Sequence, residues 1–143
     1  MLIGDIVSLV KKNTFSPNKL GATGIILNNS QIGGNCKDVY WFSDLQELSN
    51  VGRYYYGSDR VSVIGEDEIK FVEHKDEKYR IGDNVIILCP SKEYLPHEIT
   101  SDTVFKFNGM KASGCSCSIL YNNEEYQVSF QYMMKESQYL KYT

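Results

Sequence analysis

The sequence predicts an all-β protein built as two small β barrels in tandem. Three observations carry this expectation. The segment Ile3-Gly4-Asp5-Ile6-Val7-Ser8-Leu9-Val10 returns 78 residues later as Ile81-Gly82-Asp83-Asn84-Val85-Ile86-Ile87-Leu88. The chain holds 11 tyrosines among many Val and Ile, residues that favour strands. A chain of 143 residues can bury a sizeable core, whereas a lone unit of about 60 residues does so only marginally, so the copies are expected to be joined.

In order along the chain, the first strand is expected over residues 5–11, with Val7 and Leu9 on one face and Ile6, Ser8 and Val10 on the other. Gly4 sits where the chain turns into it, and Gly82 is its counterpart. A polar loop with Pro17 and Asn18 leads to Gly21 and Gly24, where the strand Ile25-Ile26-Leu27-Asn28 begins. Asn28 to Asn35 is a turn-rich connector, and Val39-Tyr40-Trp41-Phe42 is a strand by composition. Ser43 or Asp44 caps a single helical turn ending near Leu48. Next come Gly52, Arg53, Tyr54, Tyr55, Tyr56, Gly57 and Arg60, and then the strand Val61-Ser62-Val63-Ile64. Strand side chains alternate, so three adjacent tyrosines cannot all be core, and at least one ring is expected outside. Residues 66–80 are dominated by charge, with the carboxylates of Glu66-Asp67-Glu68 and Asp76-Glu77 read as a solvated linker; Ile69, Phe71 and Val72 complete the first unit. The first unit is placed at 1–74 and the second at 75–143.

In the second copy Val85 and Ile87 match Val7 and Leu9, and Gly114 is matched to Gly24, which implies an insertion between Pro90 and Gly109. Such a loop is either functional or variable. The clearest alternation in the chain follows: Cys115, Cys117, Ile119 and Tyr121 face one way, the turn starts at Asn122-Asn123, and Tyr126, Val128, Phe130 and Tyr132 face one way in return. The tail from Met133 adds a helical turn and a closing strand. The expected cores are Val7, Leu9, Ile25, Leu27 and Trp41 in one unit and Val85, Ile87, Ile119, Val128 and Phe130 in the other.

The Gly-Asp-x-Val start, the loop, and Gly-x-x-Gly before an aliphatic run resemble the KOW motif, which opens an SH3-like small barrel. That resemblance covers about residues 3–28. It implies two tandem SH3-like units of the kind found in transcription elongation factors and ribosome-associated proteins, where they contact nucleic acid or RNA polymerase. The short chain, doubled unit and richness in tyrosine and asparagine are also similar to small accessory proteins of T4-like bacteriophages, including a transcription modifier. The resemblance implies a cytoplasmic protein, in a host cytoplasm if the source is a phage.

Net charge is −3, which argues against coating nucleic acid through bulk positive charge. The absence of a basic leader and of an apolar run of spanning length predicts a cytosolic chain with no membrane association. The four cysteines lack zinc-knuckle spacing, so they are expected to be small buried apolar residues rather than ligands of a metal. His74 and His97 belong to no metal-binding pattern, and no nucleophile elbow or phosphate-binding loop occurs, so no cofactor and no enzyme activity are expected. A binding protein remains. From Lys11 to Arg60 there are six basic and four acidic residues. Lys11, Lys12 and Lys19 in the first loop, with Arg53 and Arg60 flanking Tyr54, Tyr55 and Tyr56, are the candidate contacts for DNA or RNA: cations for phosphates, rings for bases. The alternative partner is a protein, RNA polymerase or another host protein. The bland reading of the same residues keeps Trp41 in the core, tyrosines along a hairpin and lysines on a solvated loop.

Overall fold

The computed structural model describes residues 1–11, 19–31, 33–42, 56, 58, 60–111 and 114–143. They form two compact units, Met1–Lys75 with Tyr142–Thr143, and Asp76–Lys141. The first contains β1 (Asp5–Leu9), β2 (Thr23–Asn29), β3 (Cys36–Trp41), β4 (Val61–Gly65) and β5 (Ile69–His74), and the second contains β6 (Asn84–Ile87), β7 (Phe105–Met110), β8 (Ser116–Tyr121), β9 (Glu124–Ser129), β10 (Met133–Lys135) and the short helix α1 (Glu136–Leu140). Both sheets are antiparallel and five-stranded, ordered β4-β3-β2-β1-β5 and β10-β6-β7-β8-β9. In each, the first strand lies between the second and the fifth. A 3-10 turn joins the last two strands, Glu66–Glu68 in one unit and Phe130–Tyr132 in the other. The chain is therefore all-β with two units of one topology, as the repeated segment predicts. Among the described residues no helix is long and apolar enough to cross a membrane.

The repeat extends to individual hydrogen bonds. Gly4 and Gly82 adopt φ of 90° and 93°, a region where a Cβ would crowd the backbone. Asp5 donates its N–H to the Leu2 carbonyl at 3.0 Å and accepts the Leu2 N–H on Oδ2 at 2.8 Å. Asp83 does the same with Arg80, at 3.0 and 2.8 Å. Gly4 N–H then reaches the Ile26 carbonyl in β2, and Gly82 N–H the Phe107 carbonyl in β7. The Gly-Asp pair is thus a closed turn that launches the first strand against the second.

These bonds also correct the alignment of the two halves. The counterpart of β2 is β7, not the strand after Gly114, and the β8–β9 hairpin corresponds to β3–β4. The stretch between Pro90 and Gly109, expected to hold an insertion, contains most of β7. The sequence hides that strand because its ladder with β8 is irregular between Phe107 and Met110 and its few apolar residues follow a polar loop. The helical turn predicted from Ser43 to Leu48 lies outside the described residues. The carboxylates of Glu66-Asp67-Glu68, expected in a linker, form the 3-10 turn, where buried Glu68 accepts the Gly65 N–H at 3.1 Å.

The first core gathers Val7, Leu9, Ala22, Ile26, Val39, Trp41, Ile64 and Ile69. Its sheet is buried on both faces, since Ile6, Ile25, Leu27, Tyr40 and Val61 are buried as well. Gly24 makes this packing possible: a Cβ there would lie 2.6 Å from the Tyr40 carbonyl oxygen and 2.9 Å from the Trp41 ring. Trp41 is fully buried and donates Nε1–H to Ser62 Oγ at 2.7 Å, which satisfies its polar edge. The second core gathers Val85, Ile87, Phe105, Phe107, Cys117, Ile119 and Met133 with Leu95 and Ile99 from the β6–β7 loop. Val128 and Phe130, expected in this core, are partly buried against it. Of the cysteines, none is in a disulfide; Cys117 is buried, Cys36 and Cys89 are intermediate, and Cys115 is exposed and precedes β8, so it does not share the buried face expected for it.

Candidate binding sites

The candidate set in the first unit does not converge among the described residues. Lys12, Arg53, Tyr54 and Tyr55 lie outside them. Lys11 is exposed at the end of β1, with Nζ 3.9 Å from Asp67 Oδ2 and the two side chains 69% and 78% exposed, a weak pairing in water. Lys19 is also exposed, ahead of β2. Tyr56 is turned inward, its hydroxyl donating to Oδ2 of buried Asp38 at 2.6 Å. Arg60 directs Nη1 onto the carbonyls of Trp41 and Phe42, at 3.5 and 3.2 Å. It therefore holds the end of β3. Arg60 precedes β4 while Asp67, beside Lys11, follows it, and a five-residue strand at about 3.3 Å per residue separates the two ends by roughly 17 Å. Trp41 is core, as expected.

The second unit presents a different site. Beside β9 lies a cavity of about 290 Å³ lined by Ile87, Cys89, Leu95, Val128, Tyr132 and Tyr94. The β6–β7 loop makes one wall and is pinned by hydrogen bonds. Lys92 Nζ donates to the carbonyls of His97 and Ile99 at 2.7 and 2.8 Å, and Ser101 Oγ donates to the Leu88 carbonyl at 2.8 Å. Those bonds seat Leu95 and Ile99 in the core and leave Tyr94 72% exposed at the rim. A shallower depression continues along Ser116, Gln127 and Ser129 on the other side of Tyr94.

The wall opposite the loop is β9, an edge strand of its sheet. The β8–β9 turn is the two-residue Asn122–Asn123 with φ of 50° and 64°, the geometry of a tight hairpin. Its closing pair Tyr121 and Glu124 exchanges both hydrogen bonds, and so do Ile119 with Tyr126 and Cys117 with Val128. The alternation leaves the backbone N–H and C=O of Glu125, Gln127 and Ser129 pointing away from β8. Among the described residues those groups have no main-chain partner. The charge around this edge is acidic. Glu124 Oε2 accepts the Tyr126 hydroxyl at 2.9 Å, and that bond, with burial and the charges of Glu124 and Glu98, pushes the phenol upward. The nearby cations are engaged, Lys92 on its loop and Lys111 with Glu125 at 2.6 Å.

Among the described residues no group of three or more His, Cys, Asp or Glu is placed to hold a metal. The sequence signal for the groove was the alternation Tyr126, Val128, Phe130 and Tyr132, but it could not show that the preceding loop folds back to build the facing wall. Comparison with protein-family models, with curated proteins and with solved structures finds no match to this chain.

Proposed function

We propose that this chain is a non-catalytic binding protein whose ligand is a protein segment taken up by the second unit. The observation that carries this reading is the apolar groove beside β9, a concave surface walled by a pinned loop. A net charge of −3, the inward engagement of Tyr56 and the hold of exposed Arg60 on two backbone carbonyls weigh against a phosphate-binding face. The resemblance to KOW-type units makes proteins of gene expression, RNA polymerase among them, the first partners to test. The test is capture from lysate with and without nuclease, followed by reconstitution with the purified partner. A nuclease-resistant complex lost on substituting Val128→Asp is expected. Capture that disappears with nuclease, together with an affinity for labelled DNA or RNA that falls steeply with salt, would instead support the nucleic-acid reading. Exposed Lys11 and Lys19 favour that second reading, and Lys11→Ala with Lys19→Ala would then flatten the salt dependence.

A further inference from the structure

We infer that the second unit binds its partner by strand addition: an extended, basic segment pairs with the free edge of β9 and places one apolar side chain in the cavity between Val128 and Leu95. This rests on the reading of the protein as one that takes up a protein segment, and it names the mode and the chemistry of the ligand. Three independent features meet at one place. The outward backbone groups of Gln127 and Ser129 offer a donor and an acceptor each, in the spacing of an antiparallel or parallel ladder. A strand paired there sends alternate side chains to opposite faces, and on the core-facing side it meets the apolar cavity lined by Ile87, Leu95, Val128 and Tyr132. Main-chain bonds then supply affinity and the cavity supplies selectivity, the division of labour seen wherever a peptide extends a sheet.

Charge fixes the class of segment. Glu124 and Glu98 lie at the Tyr126 end of the edge, Glu93 is on the loop next to Tyr94, and no cation lines the cavity. Of the two nearest lysines, Lys111 is paired with Glu125 of the edge and Lys92 is held on loop carbonyls, so the carboxylates of Glu93, Glu98 and Glu124 outnumber the one cation without an acidic partner. A ligand carrying Lys or Arg beside its apolar residue therefore meets complementary charge, whereas an acidic one is repelled.

The test uses the full chain and an array of synthetic octapeptides, each with one aliphatic or aromatic residue at the centre and Lys, Glu or Ser on either side. Basic peptides are expected to bind best and acidic ones not to bind. The best peptide is then resynthesised with N-methyl groups on alternate amides. Methylation at one parity should weaken binding by about tenfold or more, because it removes the donors facing β9, and the other parity should leave it within about twofold. On the protein, Gln127→Pro deletes an outward N–H without touching the β8 ladder, a position where an edge strand tolerates proline, and should weaken binding by about tenfold. Gln127→Ala, which keeps the outward N–H, should weaken binding less than Gln127→Pro, and Glu98→Gln should weaken basic peptides alone. Amide exchange at Gln127 and Ser129 should slow when peptide is bound. Should Gln127→Pro fail to fold, the methylated peptides and the exchange measurement decide on the parent protein. Peptide binding insensitive to methylation and to Gln127→Pro, or a preference for proline-rich peptides, overturns strand addition while leaving the protein-ligand reading standing. Failure of every peptide overturns strand addition too, and the nuclease-resistant capture then decides the broader reading separately.

Discussion

The two units share a strand order and a launching turn, yet they treat their sheets differently. In the first, β1, β2 and β3 are buried on both faces, and β3 and β4 are joined through residues 42–60. In the second, β8 and β9 are joined by two asparagines, and β9 alternates between exposed and half-buried positions. In the first unit Trp41, Tyr56 and Arg60 each hydrogen-bond to groups of their own unit. Both sheets end in edge strands, β4 and β5 in one unit and β9 and β10 in the other. One topology thus carries a sheet buried on both faces in one half and, in the other, an edge strand beside an apolar groove.

The largest expected effect tests whether the halves are separable in stability. Ile119→Ala removes a fully buried side chain from the second core and should cost about 2–5 kcal/mol. Urea unfolding should be followed by far-ultraviolet circular dichroism and by fluorescence of Trp41, the chain's single tryptophan, which reports the first unit alone. Equal displacement of both signals would show one cooperative transition and dissolve the comparison by unit.

Gly24→Ala probes the closed sheet, where the new methyl group meets a carbonyl oxygen at 2.6 Å and neighbouring side chains just as closely. A cost of about 3 kcal/mol is expected from such overpacking, read from the Trp41 transition. Gly82→Ala meets nothing within 4 Å, so only its φ of 93° opposes it, and about 1–2 kcal/mol is expected. Near-equal losses for these two substitutions would mean that the tight passage at Gly24 relaxes.

Ser62→Ala leaves the Trp41 indole N–H buried without its acceptor and should cost about 1–3 kcal/mol, with a shifted emission spectrum as the independent check. The smallest effect concerns pH. Burial and the hydrogen bond to Glu73 push the Tyr142 phenol up to about 12. The folded state therefore favours the neutral phenol. Its contribution is complete below the ordinary tyrosine value of about 10 and is lost as pH rises from there toward the folded value. Tyr142→Phe removes the hydrogen bond to Glu73, so it should lower stability modestly at neutral pH and reduce the further alkaline loss; unchanged alkaline behaviour would assign it to other groups.

The legible parts of the fold were those whose pattern is local. The Gly-Asp launch of β1 and β6 and the hairpin Ser116–Ser129 each declare themselves within a few residues. Val128 alternates as expected but ends half-buried on an edge strand, and the strand pattern expected through Tyr132 stops at Ser129, where Phe130–Tyr132 form a 3-10 turn. The 3-10 turn at Glu66–Glu68 was masked by its charges, since nothing local shows that Glu68 turns back to the Gly65 N–H. β7 was masked by its short irregular ladder. The groove was the least legible feature. Its walls come from residues 87–95 and 127–132, and only tertiary folding of the loop brings them together. The basic and aromatic set around Arg53 and Arg60 drew attention by composition, but Tyr56 and Arg60 are occupied with the backbone and carboxylate of their own unit.

The unequal burial of the thiols gives the second unit a chemical clock. Cys115 is exposed, Cys89 stands half-covered in the wall of the groove, and Cys117 is buried with its thiol pushed up to about 11 by that burial. Alkylation requires a solvent-reached thiolate, so Cys115 should react first and Cys117 only when the sheet opens. With opening fast compared with labelling, the rate at Cys117 divided by that of a free thiol is the equilibrium constant for exposing the core. The rate at Cys89 should fall when the groove is filled. A single time course read by mass spectrometry would then separate occupancy from unfolding, with no dye, tag or engineered residue added to the chain.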